Sequence, residues 1–231
     1  MTVLQDTRTA FEIVTLDLYR DIHKGIRAEL FAVTGDAGRL DPSDGVGRVA
    51  MQAHVDDVVD LLVTHAEHED AGVQPALEQH LPDLAARVVE DHEVLEARMV
   101  ELQAYAADAL TAADTRGAVH RLYVELASFT SAYLAHQDLE ERVIMPRLEA
   151  AIGFDAVLGI HQAIVGSIPP DQMARSLPIM LRAMNVDDRT ELVGGMQAGA
   201  PPEVFAGLWS LARSALTNED AAQVAARLGI A

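Results

Sequence analysis

The apolar residues of this chain follow a helical period almost throughout. They recur every three or four positions, which places them on one face of a helix, and no alternating run of β-branched residues is long enough to predict a strand. The first such stripe consists of Leu16, Tyr19, His23, Ile26, Leu30 and Val33. It predicts a helix that ends in the turn-rich segment 34–47, which holds four glycines, three aspartates and one proline. The pattern therefore predicts an all-α protein.

Three further stripes predict three more long helices. The second helix should end or kink near Gln74, because Pro75 has no amide hydrogen to donate and its ring clashes with the preceding turn. The third helix opens near Pro82, and the fourth follows a short joint in which Asp114 or Thr115 can cap it. The stripes are Val55, Val58, Leu62, His65 and Glu69; then Ala85, Val88, His92, Leu95, Met99, Leu102, Ala106 and Ala109; then Val119, Leu122, Leu126, Phe129, Tyr133, His136, Glu140 and Val143.

Six polar residues occupy positions in these stripes where a helix bundle would bury apolar side chains. They are His23, His65, Glu69, His92, His136 and Glu140. The first and third stripes superpose with an offset of 69 residues, which aligns their histidines; the second and fourth superpose with an offset of 71, which aligns both histidine and glutamate. The chain therefore reads as one helical hairpin used twice. Two such hairpins packed face to face predict an up-down four-helix bundle in which the six polar side chains converge at one level.

Burying these six residues requires a compensating partner. An unpaired buried polar group costs on the order of 1–3 kcal/mol and a buried carboxylate costs more, so the pattern predicts bound cations. A histidine and a glutamate four residues apart on a helix lie roughly 6 Å from each other, so the imidazole can bind one metal while the carboxylate reaches the next. The chain has no cysteine, and imidazole with carboxylate suits iron, manganese or zinc rather than calcium.

The charge balance limits the kinds of partner. The 231 residues include 36 acidic and 17 basic ones, for a formal net charge of −19, which disfavours nucleic acid and anionic membranes and favours a small or uncharged ligand. The first residues lack a charged start followed by a long apolar run, and no window approaches roughly 18 consecutive apolar residues. We therefore expect a cytoplasmic location.

The length of the chain suits one good core with an appendage. We expect a metal-binding bundle over residues 1–152 and a helical extension over 153–231, interrupted by proline and glycine pairs. The extension has an apolar stripe that includes Phe205, Leu208, Trp209 and Leu211. We favour packing of this extension on the bundle, where it would shape access to the site. The alternative is a dimer interface, so the chain is expected to be a monomer or a homodimer.

The order of the six polar residues resembles that of the hemerythrin-like, or HHE cation-binding, domains. The similarity covers roughly residues 10–150 and includes both four-residue spacings and the prolines that follow them, Pro75 and Pro146. Such domains have a four-helix bundle that holds a bridged pair of irons. The resemblance implies two iron ions with an oxo or hydroxo bridge, with zinc or manganese less favoured. The implied ligands are His23 and His65 for one iron, His92 and His136 for the other, and Glu69 and Glu140 as bridging carboxylates.

One position departs from the oxygen-carrier pattern of that family. A carrier's third helix contributes two histidines four residues apart, whereas the positions four residues before and after His92 hold Val88 and Glu96. Glu96 could replace the missing ligand, although it lies beside the stripe and the alternative is a solvated glutamate. His161, on an apolar stripe after the bundle, could also do so, or could pack at a helix contact. Tyr19 precedes His23 by one turn and could ligate iron, donate a hydrogen bond to a bound oxygen species, or serve only as a core aromatic.

Three functions are compatible with such a site. The first is a protein that binds or turns over dioxygen, peroxide or nitric oxide at a di-iron centre, and its enzymatic form would be a peroxide- or nitric-oxide-consuming oxidoreductase. The altered third helix favours this function over a pure carrier. The second is a sensor or binding module whose helical tail is ordered by iron or oxygen occupancy. The third is a structural metal site, for example for zinc. Ferritin-type storage is disfavoured, because there glutamate precedes histidine by three residues.

Overall fold

A computed structural model describes residues 11–230, and all regular secondary structure among them is helical. The prediction of an all-α protein is confirmed. In chain order the elements are α1 (Arg20–Arg39), α2 (Gly45–Gly72), α3 (Gln74–His80), α4 (Pro82–Thr111), α5 (Thr115–Leu139), a π-helical turn (Glu140–Ile144), α6 (Met145–Ile152), α7 (Phe154–Ser167), α8 (Pro170–Ala183), α9 (Val186–Gly199), α10 (Pro202–Ala215) and α11 (Asn218–Leu228). None of these helices is both long and apolar enough to cross a lipid bilayer.

The four long helices surround one apolar core. Helix α1 packs against α2 and α5, and α4 also packs against α2 and α5, so the four helices form a closed ring of neighbours. The predicted stripes face inward because each buries its apolar residues against the neighbouring helices of the ring. The largest fully buried side chains of this first cluster are Ile26, Leu30, Leu62, Leu122, Leu126 and Phe129.

A second apolar cluster lies toward one end of the long helices, where α3, α6 and α7 pack. Its fully buried members include Leu77, Ile144, Met145, Leu148 and Val157. Along each long helix, the polar stripe residues fall between a member of the first cluster and a member of the second. The candidate metal-binding side chains therefore occupy a polar layer between two apolar ones, from which bulk water is largely excluded.

The first helix continues past Val33, the last residue of its stripe. Helix α1 ends at Arg39, within segment 34–47, so the predicted end in that segment is confirmed. Two contacts explain the extension: Ala37 is buried in the first cluster, and Gly38 lies so close to Tyr123 that a Cβ atom there would be 3.0 Å from the ring. The glycine thus allows α5 to approach. The turn is confined to residues 40–44, and Asp44 caps α2 by accepting hydrogen bonds from two backbone amides.

The prolines end regular helix at the places the sequence indicates. Helix α2 ends at Gly72, and Pro75 lies in the first turn of α3, where its missing amide hydrogen is not needed. Of the two candidate caps for α5, Asp114 fills the role, because its side chain accepts a hydrogen bond from the amide of Gly117 at 2.9 Å.

The fourth stripe does not lie on one continuous α-helix, contrary to the sequence prediction. Helix α5 ends at Leu139 and passes into the π-helical turn, in which the amide of Met145 bonds to the carbonyl of Glu140. The wider turn has a physical reason in Pro146, which cannot donate to the carbonyl of Arg142 and whose ring would collide with it in a regular helix. Glu140 therefore stands at the start of a locally widened turn.

Helices α8 to α11 form a third apolar cluster that is separate from the other two. Its buried members include Leu177, Leu181, Val193, Trp209 and Val224. Helix α8 packs along α1, and α7 packs on α2 and α6. The contact between α2 and α7 is close at Gly72, where any Cβ atom would overlap Ile164. The extension thus touches both of the first two long helices.

Candidate metal centre

All six polar stripe residues are buried and meet between the two apolar clusters of the bundle. Two groups of potential ligand atoms, each within 4.8 Å of one another, share Glu69 as a common member. The first group is His23, His65 and Glu69, and the second is Glu69, His92, His136 and Glu140. The convergence expected from the superposed stripes is therefore present in the fold.

The four histidines form two pairs. The Nε2 atoms of His23 and His65 lie 3.1 Å apart, and those of His92 and His136 lie 3.2 Å apart. Within each pair the imidazole rings meet edge to face. Two Nε2 atoms this close are satisfied either by one shared proton or by a cation that both nitrogens ligate. Each pair thus offers two nitrogens that could ligate an ion.

The two carboxylates lie between the histidine pairs. Glu69 places Oε1 at 3.0 Å from Nε2 of His65 and Oε2 at 3.5 Å from Nε2 of His92. Glu140 places Oε1 at 3.2 Å from Nε2 of His136 and Oε2 at 3.4 Å from Nε2 of His23. Each glutamate therefore presents one oxygen to each pair, which is the arrangement a carboxylate needs to span two ions.

Several of these atoms lack a hydrogen-bond partner. Both carboxylate oxygens of Glu69 and Oε2 of Glu140 are buried, and none of them makes a hydrogen bond of good geometry. A buried carboxylate oxygen without a donor is strongly unfavourable, and a cation would satisfy it. Nitrogen and oxygen ligands without thiolate are also the donor set that iron, manganese and zinc accept. The residues present therefore fit a bound metal.

The pKa directions describe a site that is short of positive charge. Burial, together with the charge of Glu69, raises the pKa of Glu140 well above its usual range. Burial acts in the same direction on Glu69, but His65, His92 and His23 together outweigh it, so the pKa of Glu69 is lowered. Burial also lowers the pKa of His23 to about 4, which keeps its imidazole neutral and able to ligate.

A carboxylate outside the predicted set holds His23. Nδ1 of His23 is 2.9 Å from Oε1 of Glu141, and Arg27 donates two hydrogen bonds, of 2.6 and 3.0 Å, to the same carboxylate. An Nδ1–H that donates to Glu141 leaves the lone pair of Nε2 facing the site. Sequence reasoning missed this pair, although Arg27 stands one helical turn after His23 and Glu141 follows Glu140 directly.

The second histidine pair also has outer carboxylates. Nδ1 of His92 is 3.2 Å from Asp70, and Nδ1 of His136 is 3.7 Å from Asp91. Neither aspartate is among the site residues predicted from the sequence. Their positions next to predicted site residues could have indicated them, since Asp70 follows Glu69 and Asp91 precedes His92 in the chain.

Two tyrosines flank the site, one beside each pair. The ring of Tyr19 lies 5.1 Å from that of His23, and the ring of Tyr133 lies 5.9 Å from that of His136. Both are buried, and burial together with the two glutamate charges raises the pKa of each phenol well above its usual value. Both phenols therefore keep their protons. Tyr19 was predicted from the sequence as a possible site residue, whereas Tyr133 was predicted only as a member of the fourth stripe.

The other two candidate ligands lie outside the converging groups. Glu96 is on the exposed side of α4, and His161 is half-buried on α7. Neither belongs to the two groups of potential ligand atoms found among residues 11–230. The position four residues before His92 is the buried, apolar Val88, so His92 is the one imidazole that α4 places in the site.

One comparison with known proteins gives a match. The family model described as the hemerythrin HHE cation binding domain matches residues 14–164. No curated protein and no solved structure matches the chain. The matched segment contains all six buried polar residues and extends through most of α7, whereas α8 to α11 lie beyond it.

Proposed function

The chain belongs to the hemerythrin family of HHE cation-binding domains, and on that premise we propose that it holds two iron ions and binds or reacts with dioxygen, peroxide or nitric oxide. The family and the buried histidine–glutamate cluster make it a cation-binding module. The identity and number of the ions, and the small-molecule chemistry, are the proposed part.

One observation carries the proposal of two ions. Each of the two glutamates has one oxygen beside the first histidine pair and the other oxygen beside the second. A single ion would leave one pair of nitrogens and two carboxylate oxygens without a partner between two apolar clusters. Two ions would use every one of these atoms. We assign His23 and His65 to one ion, His92 and His136 to the other, and Glu69 and Glu140 as the shared carboxylates.

The surrounding fold supports the same proposal. We infer that α1, α2, α4 and α5 alternate in direction as an up-down four-helix bundle, since they form a ring of contacts and are joined by short connections. The two apolar clusters above and below the polar layer keep bulk water from its ligands. Iron bound there would supply an open coordination position and electrons for a small oxygen or nitrogen species.

The protein's own residues would control that chemistry. Tyr19 and Tyr133 keep a proton on each phenol oxygen and lie beside opposite histidine pairs, so either can donate a hydrogen bond to a species bound at the site. The neutral imidazole of His23, whose pKa burial lowers to about 4, would hold a cation without adding charge. The net charge of −19 would disfavour anionic substrates and favour small neutral ones.

Metal analysis with an absorption spectrum tests the proposal directly. We expect about two irons per chain and near-ultraviolet bands typical of a bridged iron pair; a colourless protein that carries zinc would contradict it. Added peroxide or nitric oxide then separates the outcomes. Consumption over many turnovers per chain would identify an enzyme, whereas one stoichiometric and reversible spectral change would identify a binding protein.

A sensor function is the second candidate, and the packing of the extension favours it. Helix α8 lies along α1, which carries His23, and α7 packs on α2 at Gly72, three residues after Glu69. A change in ligand position could therefore move the extension. Limited proteolysis of residues 155–230 with and without metal tests this function, and identical digestion patterns would remove its support.

A further inference from the structure

The candidate centre is symmetric in its inner contacts but not in its outer ones. The Nε2 separations of the two histidine pairs differ by only 0.1 Å, and each glutamate serves both pairs. We call His23 with His65 the first half-site, and His92 with His136 the second half-site. The carboxylates that contact the outer Nδ1 atoms of these histidines differ between the half-sites. They differ in their distance from Nδ1, in their exposure to solvent and in whether a second residue fixes them.

The first half-site is held by a restrained carboxylate. Glu141 accepts from Nδ1 of His23 at 2.9 Å, its side chain is only 17% exposed, and both of its oxygens are tied to Arg27. A two-point guanidinium–carboxylate contact fixes the carboxylate in both position and plane. His23 itself is completely buried. His65, the other member, contacts His23 and Glu69 within the site.

The second half-site is held more loosely. Asp70, which contacts Nδ1 of His92 at 3.2 Å, is 52% exposed. Asp91 stands 3.7 Å from Nδ1 of His136, too far for a hydrogen bond, and also lies 3.6 Å from Arg87. Nδ1 of His136 is consequently a buried nitrogen without a hydrogen-bond partner. Exposed carboxylates are screened and mobile, so they orient an imidazole weakly.

We propose that the two half-sites bind metal with unequal affinity and in a fixed order, the first half-site taking the first ion and the second half-site holding the exchangeable one. Glu141, restrained by Arg27, is the positioning residue that creates the difference. The inference rests on the proposed function, because it requires that both half-sites bind an ion. Outer carboxylates of metal-binding histidines commonly change metal affinity by about 10–100-fold, which is enough to separate two otherwise matched sites.

Anaerobic titration of the metal-free protein with Fe(II), against a competing chelator, measures both steps. We expect two binding steps per chain whose dissociation constants differ by about tenfold or more. Glu141→Gln should raise the dissociation constant of the tighter step by about 10–100-fold, and this narrows the separation between the two constants. Asp70→Asn should leave the tighter step unchanged and weaken the looser one, by less than about tenfold because Asp70 is exposed, and so widen the separation. Glu101→Gln, which changes a carboxylate on the exposed side of α4, should change neither step.

The variants also distinguish positioning from folding. Arg27→Gln removes the restraint but leaves the carboxylate, so it should narrow the separation in the same direction as Glu141→Gln, with unchanged far-ultraviolet circular dichroism. Glu141→Asp, which keeps the charge, should recover part of the lost affinity. If Glu141→Gln does not fold, Arg27→Gln decides the question.

Different results would overturn different claims. Two ions bound in one indistinguishable step would refute the fixed order while leaving the proposed di-metal function intact. The same would follow if Glu141→Gln and Asp70→Asn moved the separation in the same direction. A wild-type protein that binds fewer than two ions would instead refute the proposed function itself.

Discussion

Gly25 of α1 lies against Ile179 of α8 so closely that a Cβ atom at position 25 would stand 3.0 Å from Cγ2 of Ile179. The same Cβ would be 3.3 Å from the backbone nitrogen of Met180, which cannot turn aside as a side chain can. Gly25 is fully buried and follows His23 by two residues. Glycine thus lets the extension sit directly on the helix that carries a candidate ligand.

Replacing Gly25 with valine should loosen the extension. The larger side chain would overfill the contact and cost about 1–3 kcal/mol, since the backbone of α8 would have to move. Gly159→Val is the matched control, because a Cβ atom at Gly159 of α7 meets nothing within 4 Å. Urea denaturation measures the loss of stability, and limited proteolysis measures exposure of residues 170–230. Equal stability and digestion of the two variants would show that the contact does not hold α8.

How far the sequence predicts this molecule depends on the kind of interaction. Apolar spacing predicts the long helices and the convergence of six polar residues, because burial on one helical face repeats along the chain and leaves a periodic trace. The ligand roles of those residues stay a prediction.

Contacts between distant segments leave no such trace. The end of α1 depends on Gly38 lying beneath Tyr123 of α5. The restraint of His23 by Glu141 joins residues 118 positions apart. A single sequence shows that these residues are charged or small, but not which residue each one meets.

Replacing Glu140 with glutamine should have opposite effects on the stability of the protein with and without metal. In the metal-free protein its raised pKa means that the folded state holds a proton more tightly than the unfolded state, so stability falls as pH rises above 4.5 and through the folded pKa. Glu140→Gln removes that loss and should stabilise the metal-free protein at pH 8 by on the order of 1–3 kcal/mol.

With iron present, the same substitution should lower both iron content and melting temperature, because a ligand oxygen is lost. Thermal denaturation with chelator and with added iron measures the two changes in stability, and metal analysis measures the iron content. Glu101→Gln, on the exposed side of α4, should change neither. Retention of full iron content by the Glu140 variant would contradict its assignment as a shared carboxylate.

The two flanking tyrosines should affect reactivity but not metal content. Tyr19→Phe and Tyr133→Phe keep the buried rings and remove only the hydroxyl group, so each variant should still bind two irons. A lost hydrogen bond to a charged species is worth about 1.5–3 kcal/mol, so the reaction with peroxide or nitric oxide should slow by roughly tenfold or more in at least one variant. Stopped-flow absorption measures the rate. Unchanged rates in both variants would leave the phenols with only a packing role.

A histidine far from the centre should make the contact between α1 and α2 sensitive to pH. His54 of α2 lies 3.6 Å from Glu29 and 3.5 Å from Asp36, both on α1, and Asp57 adds a further negative charge beside it. The contact with Glu29, together with these charges, raises the pKa of His54 above 6.5, its value in the unfolded chain. The folded state therefore binds the proton more tightly than the unfolded state does.

The stabilisation from His54 should be fully present below pH 6.5 and should disappear as pH rises through the folded pKa. We expect His54→Gln to destabilise the metal-free protein at pH 6 and to have little effect at pH 8.5, because at high pH the wild-type imidazole is also neutral. Urea unfolding of both proteins across this range, with chelator present, measures the difference. His80→Gln, at the exposed end of α3, is the matched control and should show no such change. A destabilisation by His54→Gln that grew with pH would mean that the neutral imidazole, and not its charge, joins the two helices.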